Sequence, residues 1–173
     1  MKIVLGVYDE KPHRYHYNFI DDTWILTDIN PRSNNIMRVD ARSLPEGVEA
    51  IYASHIVEHI APEEVDAMLK HWYDSLPSGG YAIINVPDIE WLCHQIILTE
   101  NGGRSDSSYF TTTKKLMEVI YGNVGDTGFD KHHWGYTKNS LTDALEKAGF
   151  KVEVRREYEA HDMGCLIAKA VKE

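Results

Sequence analysis

The chain alternates between short apolar runs and longer segments in which apolar residues recur every three or four positions. The short runs predict strands at residues 2–7, 24–27, 36–39, 50–53 and 81–86. The run at 81–86 is almost continuously apolar, as expected of a strand that is covered on both faces. Because such alternation is typical of βαβ units, we expect five strand–helix alternations around a mostly parallel sheet.

Four segments show the spacing of amphipathic helices. The first begins at Pro62, a residue favoured in the first turn of a helix, and ends before Pro77. The last begins after Thr137, a typical N-cap residue, and ends at Gly149. The other two cover residues 89–98 and 112–121.

The carboxyl-terminal part of the chain predicts a β-hairpin, formed by alternating runs at residues 150–156 and 165–171. Two long polar loops precede it, at residues 101–108 and 122–135. Long loops in compact domains are often lids over a site, although an ordinary loop explains the length equally well.

Composition narrows the class of protein. At 173 residues, with 43% hydrophobic and 26% charged residues, the chain fits one globular domain covering residues 1–173. No apolar run is long enough to cross a bilayer, and Cys93 and Cys165 form no CxxC pair, so we expect a cytoplasmic protein without membrane contact. We expect it to be a monomer or a homodimer.

The charge of the chain argues against nucleic acid as a partner. The formal net charge is -9, and the basic residues are scattered along the sequence. Trp72, Trp91 and Trp134 lack the basic flanks of a base-stacking platform, so we interpret them as core or packing residues.

Three stretches carry a resemblance to a known family. They are EAIYASHIVEHI at residues 49–60, LPSGGYAIINVP at 76–87 and HHWGYTKNSLTDALEKAGFKVEV at 132–154. They resemble class I methyltransferases that depend on S-adenosylmethionine, especially short predicted members with a SHVLEH-like motif. The resemblance implies an α/β, Rossmann-like fold with a mostly parallel sheet of seven or slightly fewer strands and an antiparallel carboxyl-terminal hairpin.

The resemblance also implies where S-adenosylmethionine binds. Asp28 follows the second strand, where a carboxylate can accept hydrogen bonds from both ribose hydroxyls, and Ile29 lies beside it. Asp40 matches the acidic position after the third strand that takes the adenine amine, and the neighbouring Ala41 and Arg42 complete that edge. Either aspartate could instead be a turn residue that binds nearby backbone amides.

Gly6, Ser54 and His55 complete the predicted cofactor site. Gly6 would allow the backbone to approach the ligand closely, and Ser54 and His55 would lie beside the methionine end after the fourth strand. Members of the family usually carry a Gly-Cys-Gly turn after the first strand, whereas this chain has Gly6 alone in VLGVYDEKPHRY.

Three residues are candidates for catalysis, namely His59, His133 and Tyr136. His59 has a counterpart in the family motif, and a histidine there is more often a packed, hydrogen-bonded core residue than a general base. His55 and His59 have the spacing of two metal ligands on one helix face, but a third ligand would have to come from His132, His133 or a carboxylate. We therefore predict no metal site.

Three functions follow from these observations. The first is an S-adenosylmethionine-dependent methyltransferase with a small-molecule substrate and S-adenosylhomocysteine as product. The second is a degenerate, non-catalytic member of the fold that binds a partner or another nucleotide-like ligand. The third and weakest is a metal-dependent hydrolase built on His55 and His59.

Overall fold

The computed structural model describes residues 1–7, 20–122, 131–157 and 164–173. The strands are β1 Lys2–Leu5, β2 Trp24–Asp28, β3 Met37–Arg38, β4 Ala50–Ser54, β5 Tyr81–Pro87, β6 Lys151–Glu157 and β7 Cys165–Val171. They form one seven-stranded sheet in the order β3-β2-β1-β4-β5-β7-β6. The first five strands are parallel, and β7 is antiparallel to both of its neighbours. This confirms the predicted Rossmann-like α/β sheet with an antiparallel carboxyl-terminal hairpin.

The helices are α1 Pro62–Ser75, α2 Ile89–Glu100, α3 Thr113–Tyr121 and α4 Lys138–Ala148, and a 3₁₀ turn covers Val57–His59. All four predicted helices are confirmed to within two residues. Thr137 caps α4 as expected, because its hydroxyl accepts a hydrogen bond from the Ser140 amide. In the described part of the chain, every helix is too short or too polar to cross a bilayer.

The predicted five strand–helix alternations are wrong around β3. Among the described residues, 29–36 and 39–49 connect β2 to β3 and β3 to β4 without a helix. A helical crossover between parallel strands needs about a dozen residues, and the β2–β3 connection is shorter than that. The residues 8–19 that connect β1 to β2 lie outside the described ranges.

The main core lies on the face of the sheet that α1 and α4 cover. Alternate side chains of the central strands point into it, among them Ile3, Ile51 and Ile84, each 0% exposed. Trp72 of α1 is also fully buried there, as predicted. Its indole Nε1 donates a hydrogen bond to the Ala41 carbonyl at 2.6 Å, which holds the segment after β3 against the helix.

The ends of β1 and β4 contact each other through Gly6 and Ile56. Gly6 has φ +75°, and a Cβ atom added to it would lie 2.1 Å from Ile56 Cδ1. A side chain at position 6 would therefore adopt an unfavourable φ and push the Ile56 side chain away. In the sheet, β2 and β3 lie on one side of β1, and β4 lies on the other side. The contact between Gly6 and Ile56 lies at this reversal of the strand order.

We predict that Gly6→Ala lowers the free energy of unfolding by about 1–3 kcal/mol, because it combines an unfavourable φ with a steric clash. Gly102→Ala is the matched control, since Gly102 has φ +80° with no neighbouring atom within 4 Å of an added Cβ. Urea unfolding measures both variants. Gly6→Ala should lower the free energy of unfolding by more than Gly102→Ala does. In a protein that also carries Ile56→Ala this difference should disappear, and an unchanged difference would rule out a clash with Ile56.

Candidate active site

The carboxyl ends of β3, β2, β1 and β4 lie side by side at one edge of the sheet. Gly6, Asp28, Asp40 and Ser54 lie at or just after these four ends. In open α/β sheets, ligands bind beyond the carboxyl ends of the strands where the strand order reverses, which here is between β1 and β4. The topology therefore brings the predicted cofactor residues to one edge of the sheet.

Asp28 is the last residue of β2 and is partly exposed. Its Oδ1 accepts a hydrogen bond from the Asn30 amide at 2.7 Å, which is the turn contact that the sequence also allowed. Its Oδ2 takes no hydrogen bond from any residue in the described ranges. The turn contact and a ligand contact are therefore compatible. Ile29, which follows, is half-buried.

Asp40 is held by Arg42. Its Oδ1 accepts from the Arg42 amide at 2.9 Å and from Nε at 3.0 Å, and its Oδ2 accepts from Nη2 at 2.8 Å. Hydrogen bonds from the Arg42 side chain lower the pKa of Asp40 below its usual value. An adenine amine at this position would have to share the carboxylate with Arg42.

His55 directs its side chain to the interior of the protein. It follows Ser54 with φ +55°, a left-handed conformation that few non-glycine residues adopt, and its amide donates to the Asn85 carbonyl at 2.8 Å. This backbone places its Nδ1 2.9 Å from Glu58 Oε1. Burial disfavours the charged imidazole, but contacts with Cys165 and Glu58 outweigh this and raise the pKa of His55 to about 10.

Glu58 is the centre of the site, although its side chain is only 1% exposed. Burial alone would raise the pKa of its carboxyl group, but the hydrogen bond and charge of His55 outweigh burial and lower that pKa. Its backbone carbonyl accepts from the His133 amide at 2.8 Å and from the Trp134 amide at 3.3 Å. Glu58 thus joins the segment before α4 to the carboxyl end of β4.

The three predicted catalytic residues have different environments near Glu58. His59 Nδ1 lies 3.0 Å from the Lys131 carbonyl, and its ring meets that of His132 edge-to-face at 4.6 Å. Tyr136 is 3% exposed, and burial raises the pKa of its phenol above the usual range. His133 contributes its backbone amide to the Glu58 carbonyl, while its side chain is exposed. The catalytic roles of these three residues stay predictions.

The predicted helix face shared by His55 and His59 is wrong. The turn that contains His59 begins at Val57 and is a 3₁₀ turn, in which residues four apart do not align. His59 lies instead beside His132, and burial lowers the pKa of His132 and so favours its neutral form.

A small pocket adjoins Glu58. The residues that line it include Glu58, Pro87, Leu92, His132, Trp134 and Tyr136. The pocket is formed where the Ile89 amide donates to the Tyr136 carbonyl at 2.9 Å, which attaches the segment before α4 to the start of α2. Trp134 is 52% exposed at this pocket, so the interpretation of Trp134 as a core residue is wrong. Residues 123–130 of the predicted lid loop lie outside the described ranges.

Glu58 was missed as a site residue at the sequence level. In the stretch HIVEHI it resembles an ordinary polar residue of a turn, and only the apolar residues Ile56 and Val57 before it hinted at burial. A carboxylate is rarely buried without a partner, and its partner here is three residues away.

Comparison with known proteins identifies the family. A family model described as a methyltransferase domain matches residues 8–154. A search of curated proteins found no match.

Solved structures with the same fold are distant in sequence. The 1,6-didemethyltoxoflavin-N1-methyltransferase of Burkholderia thailandensis, solved with 1,6-didemethyltoxoflavin and S-adenosylhomocysteine, is 14% identical and has a TM-score of 0.59, with 98% of this chain and 70% of that chain covered. A SAM-dependent methyltransferase from Archaeoglobus fulgidus is 16% identical with a TM-score of 0.57, covering 97% and 84%. Magnesium protoporphyrin IX methyltransferase from Synechocystis, with bound SAH, is 13% identical with a TM-score of 0.50, covering 80% and 51%.

The chain belongs to the methyltransferase domain family, and its fold is that of the class I S-adenosylmethionine-dependent methyltransferases.

Proposed function

We propose that this protein transfers a methyl group from S-adenosylmethionine to a small-molecule acceptor. The observation that carries the proposal is that two features lie together at one edge of the sheet. The predicted cofactor residues lie at the ends of β1 to β4, and a small pocket with a buried carboxylate begins just after β4. The Burkholderia enzyme with the same fold was solved with a small-molecule substrate and S-adenosylhomocysteine, which supports this class of acceptor.

The residues at the strand ends fit an adenosyl ligand. Asp28 offers an oxygen that no described residue occupies, at a position suited to the ribose hydroxyls. The space beside Gly6 is taken by Ile56, so a contact between Gly6 and the ligand would be made by its backbone. When bound, S-adenosylmethionine supplies an electrophilic methyl group on a sulfonium. The task left to the chain is to hold the acceptor in line with that methyl group.

The pocket beside β4 and β5 has about the volume of one water molecule, so it would hold only the reacting end of a small acceptor. Most of its lining is apolar, including Pro87 and Leu92, and Trp134 is exposed. Glu58 brings a buried carboxylate oxygen that has no hydrogen bond from the described residues, so it favours an acceptor with a hydroxyl or amine hydrogen. Such an acceptor would be oriented by that hydrogen bond and excluded from water by the apolar walls.

A second function is a binding protein that has lost methyl transfer. The pairing of Asp40 with Arg42 favours it, because both carboxylate oxygens at the predicted adenine position already accept hydrogen bonds. The chain also has a single glycine after β1, where members of the family usually carry a Gly-Cys-Gly turn, and this difference favours the binding protein too. Titration with S-adenosylhomocysteine distinguishes the two functions.

We predict that Asp28→Ala weakens S-adenosylhomocysteine binding by about 10- to 100-fold, because hydrogen bonds to a charged group contribute roughly 1.5–3 kcal/mol. Isothermal titration calorimetry measures the affinity. Asp22→Ala is the matched control, since Asp22 is exposed and precedes β2 at the opposite end of the same strand. Equal affinities of the two variants would remove Asp28 from the cofactor site. No heat from the folded wild type at high ligand concentration would overturn cofactor binding and favour the second function.

We predict that Trp134→Ala raises the KM for the methyl acceptor by about tenfold and leaves S-adenosylhomocysteine affinity unchanged, because Trp134 lines the pocket and the predicted cofactor residues do not. The acceptor is first found by measuring S-adenosylhomocysteine release with a panel of small hydroxyl and amine compounds. Tyr109→Ala removes a similarly exposed aromatic residue outside the pocket and serves as control. An unchanged KM in Trp134→Ala would place the acceptor elsewhere.

A further inference from the structure

We propose that Glu58, His59 and His132 form a binding site for one divalent transition-metal ion. One side-chain ligand atom from each of the three residues lies within 4.8 Å of the other two. Two imidazoles and one carboxylate are a donor set that Zn²⁺ and related ions prefer. The site joins the turn after β4 to the segment that leads into α4.

His59 is held in the orientation that metal ligands adopt. Its Nδ1 lies 3.0 Å from the Lys131 carbonyl, and because a carbonyl only accepts, the ring hydrogen must be on Nδ1. His59 Nε2 therefore keeps its lone pair. The His132 ring lies beside it, with 4.6 Å between the two ring centres. Histidines that bind metals usually donate their other ring N–H to a backbone carbonyl or a carboxylate in this way.

Glu58 supplies the observation that points most directly to a cation. Its Oε1 accepts from His55 Nδ1 at 2.9 Å, but its Oε2 is buried and has no hydrogen bond from any described residue. A buried carboxylate oxygen without a partner is costly, and most such atoms in native proteins are satisfied. A cation bound by Oε2 would satisfy it, while His55 would hold the other oxygen in place as a supporting hydrogen-bond donor.

The ligand atoms would have to move closer together to hold zinc. With metal–ligand bonds of about 2.0–2.1 Å, tetrahedral ligand atoms lie about 3.3 Å apart, whereas here they lie within 4.8 Å of one another, so binding would draw the three side chains together. Three protein ligands leave a fourth position open. Glu58 and His132 both line the small pocket, so the open position would face it. Metal binding does not require the proposed methyl transfer, although a bound ion would occupy the Glu58 oxygen that is otherwise assigned to the acceptor; the meeting of metal and acceptor in the pocket rests on that function.

Calorimetric titration of the untagged chain with ZnCl₂, after treatment with EDTA and dialysis, tests the site. We expect one ion per chain with a micromolar or tighter Kd. Co²⁺ should bind at the same stoichiometry and give the intense visible absorption of a four-coordinate site. Zinc should also raise the Tm of the wild type, because it binds the folded state.

His59→Ala and His132→Ala should each weaken zinc binding on the order of 100-fold, since each removes one of three ligands. His94→Ala is the matched control, because His94 is exposed on α2, and its loss should leave the affinity unchanged. Glu58→Gln keeps the size of the side chain and removes its charge, and it should also weaken binding. Circular dichroism shows whether each variant is folded. If a variant is not folded, the stoichiometry and the Co²⁺ spectrum of the wild type decide whether the metal site exists.

Absence of zinc binding by the wild type up to millimolar concentration would overturn the site, and so would wild-type affinity in both His59→Ala and His132→Ala. A loss of affinity in His94→Ala alone would also overturn it, since that result would assign the ion to the surface beside Cys93. S-adenosylhomocysteine titrated into the EDTA-treated protein should bind as before. The metal site and the methyltransferase function can therefore fail separately.

Discussion

The pairing of β1 with both β2 and β4 is the constraint on which the rest of this structure depends. β1 is apolar on both faces, and its residues Ile3, Val4 and Leu5 are at most 2% exposed, so it is stable only at the centre of a covered sheet. Because the chain first builds outwards through β2 and β3 and then returns to place β4 on the other side of β1, the strand order reverses at this point. The reversal leaves a crevice beyond the strand ends, and the residues that follow those ends become a binding edge.

The close approach of the segments after β1 and β4 affects the position of Glu58. The Ile56 side chain packs against Gly6, and the following turn then carries Glu58 into the interior. Burying that carboxylate is costly unless it is paired, and His55, held in a left-handed conformation, supplies the partner. The backbone strain at His55 is thus linked to the placement of a buried charge beside the pocket.

The same buried carboxylate organises the segment before α4. The Glu58 carbonyl accepts two amides from that segment, and this brings His132, Trp134 and Tyr136 around the pocket. One residue therefore connects the cofactor edge, the acceptor pocket and the pair of histidines. The proposed acceptor contact and the proposed metal site both use Glu58 Oε2, which accepts no hydrogen bond from the described residues.

The sequence by itself determined the elements of this fold, and the tertiary structure decided the site. The strands were predictable because apolar runs bounded by polar residues reflect local burial, and α4 because Thr137 and Gly149 act within a few residues of the helix ends. The positions of Gly6, Asp28, Asp40 and Ser54 at strand ends followed from the same pattern, since parallel strands share one carboxyl edge. The pairing of Asp40 with Arg42, the turn of His55 towards Glu58 and the meeting of His59 with His132 did not follow. These contacts depend on backbone conformation and on residues up to 73 positions apart, neither of which the periodicity of a sequence records.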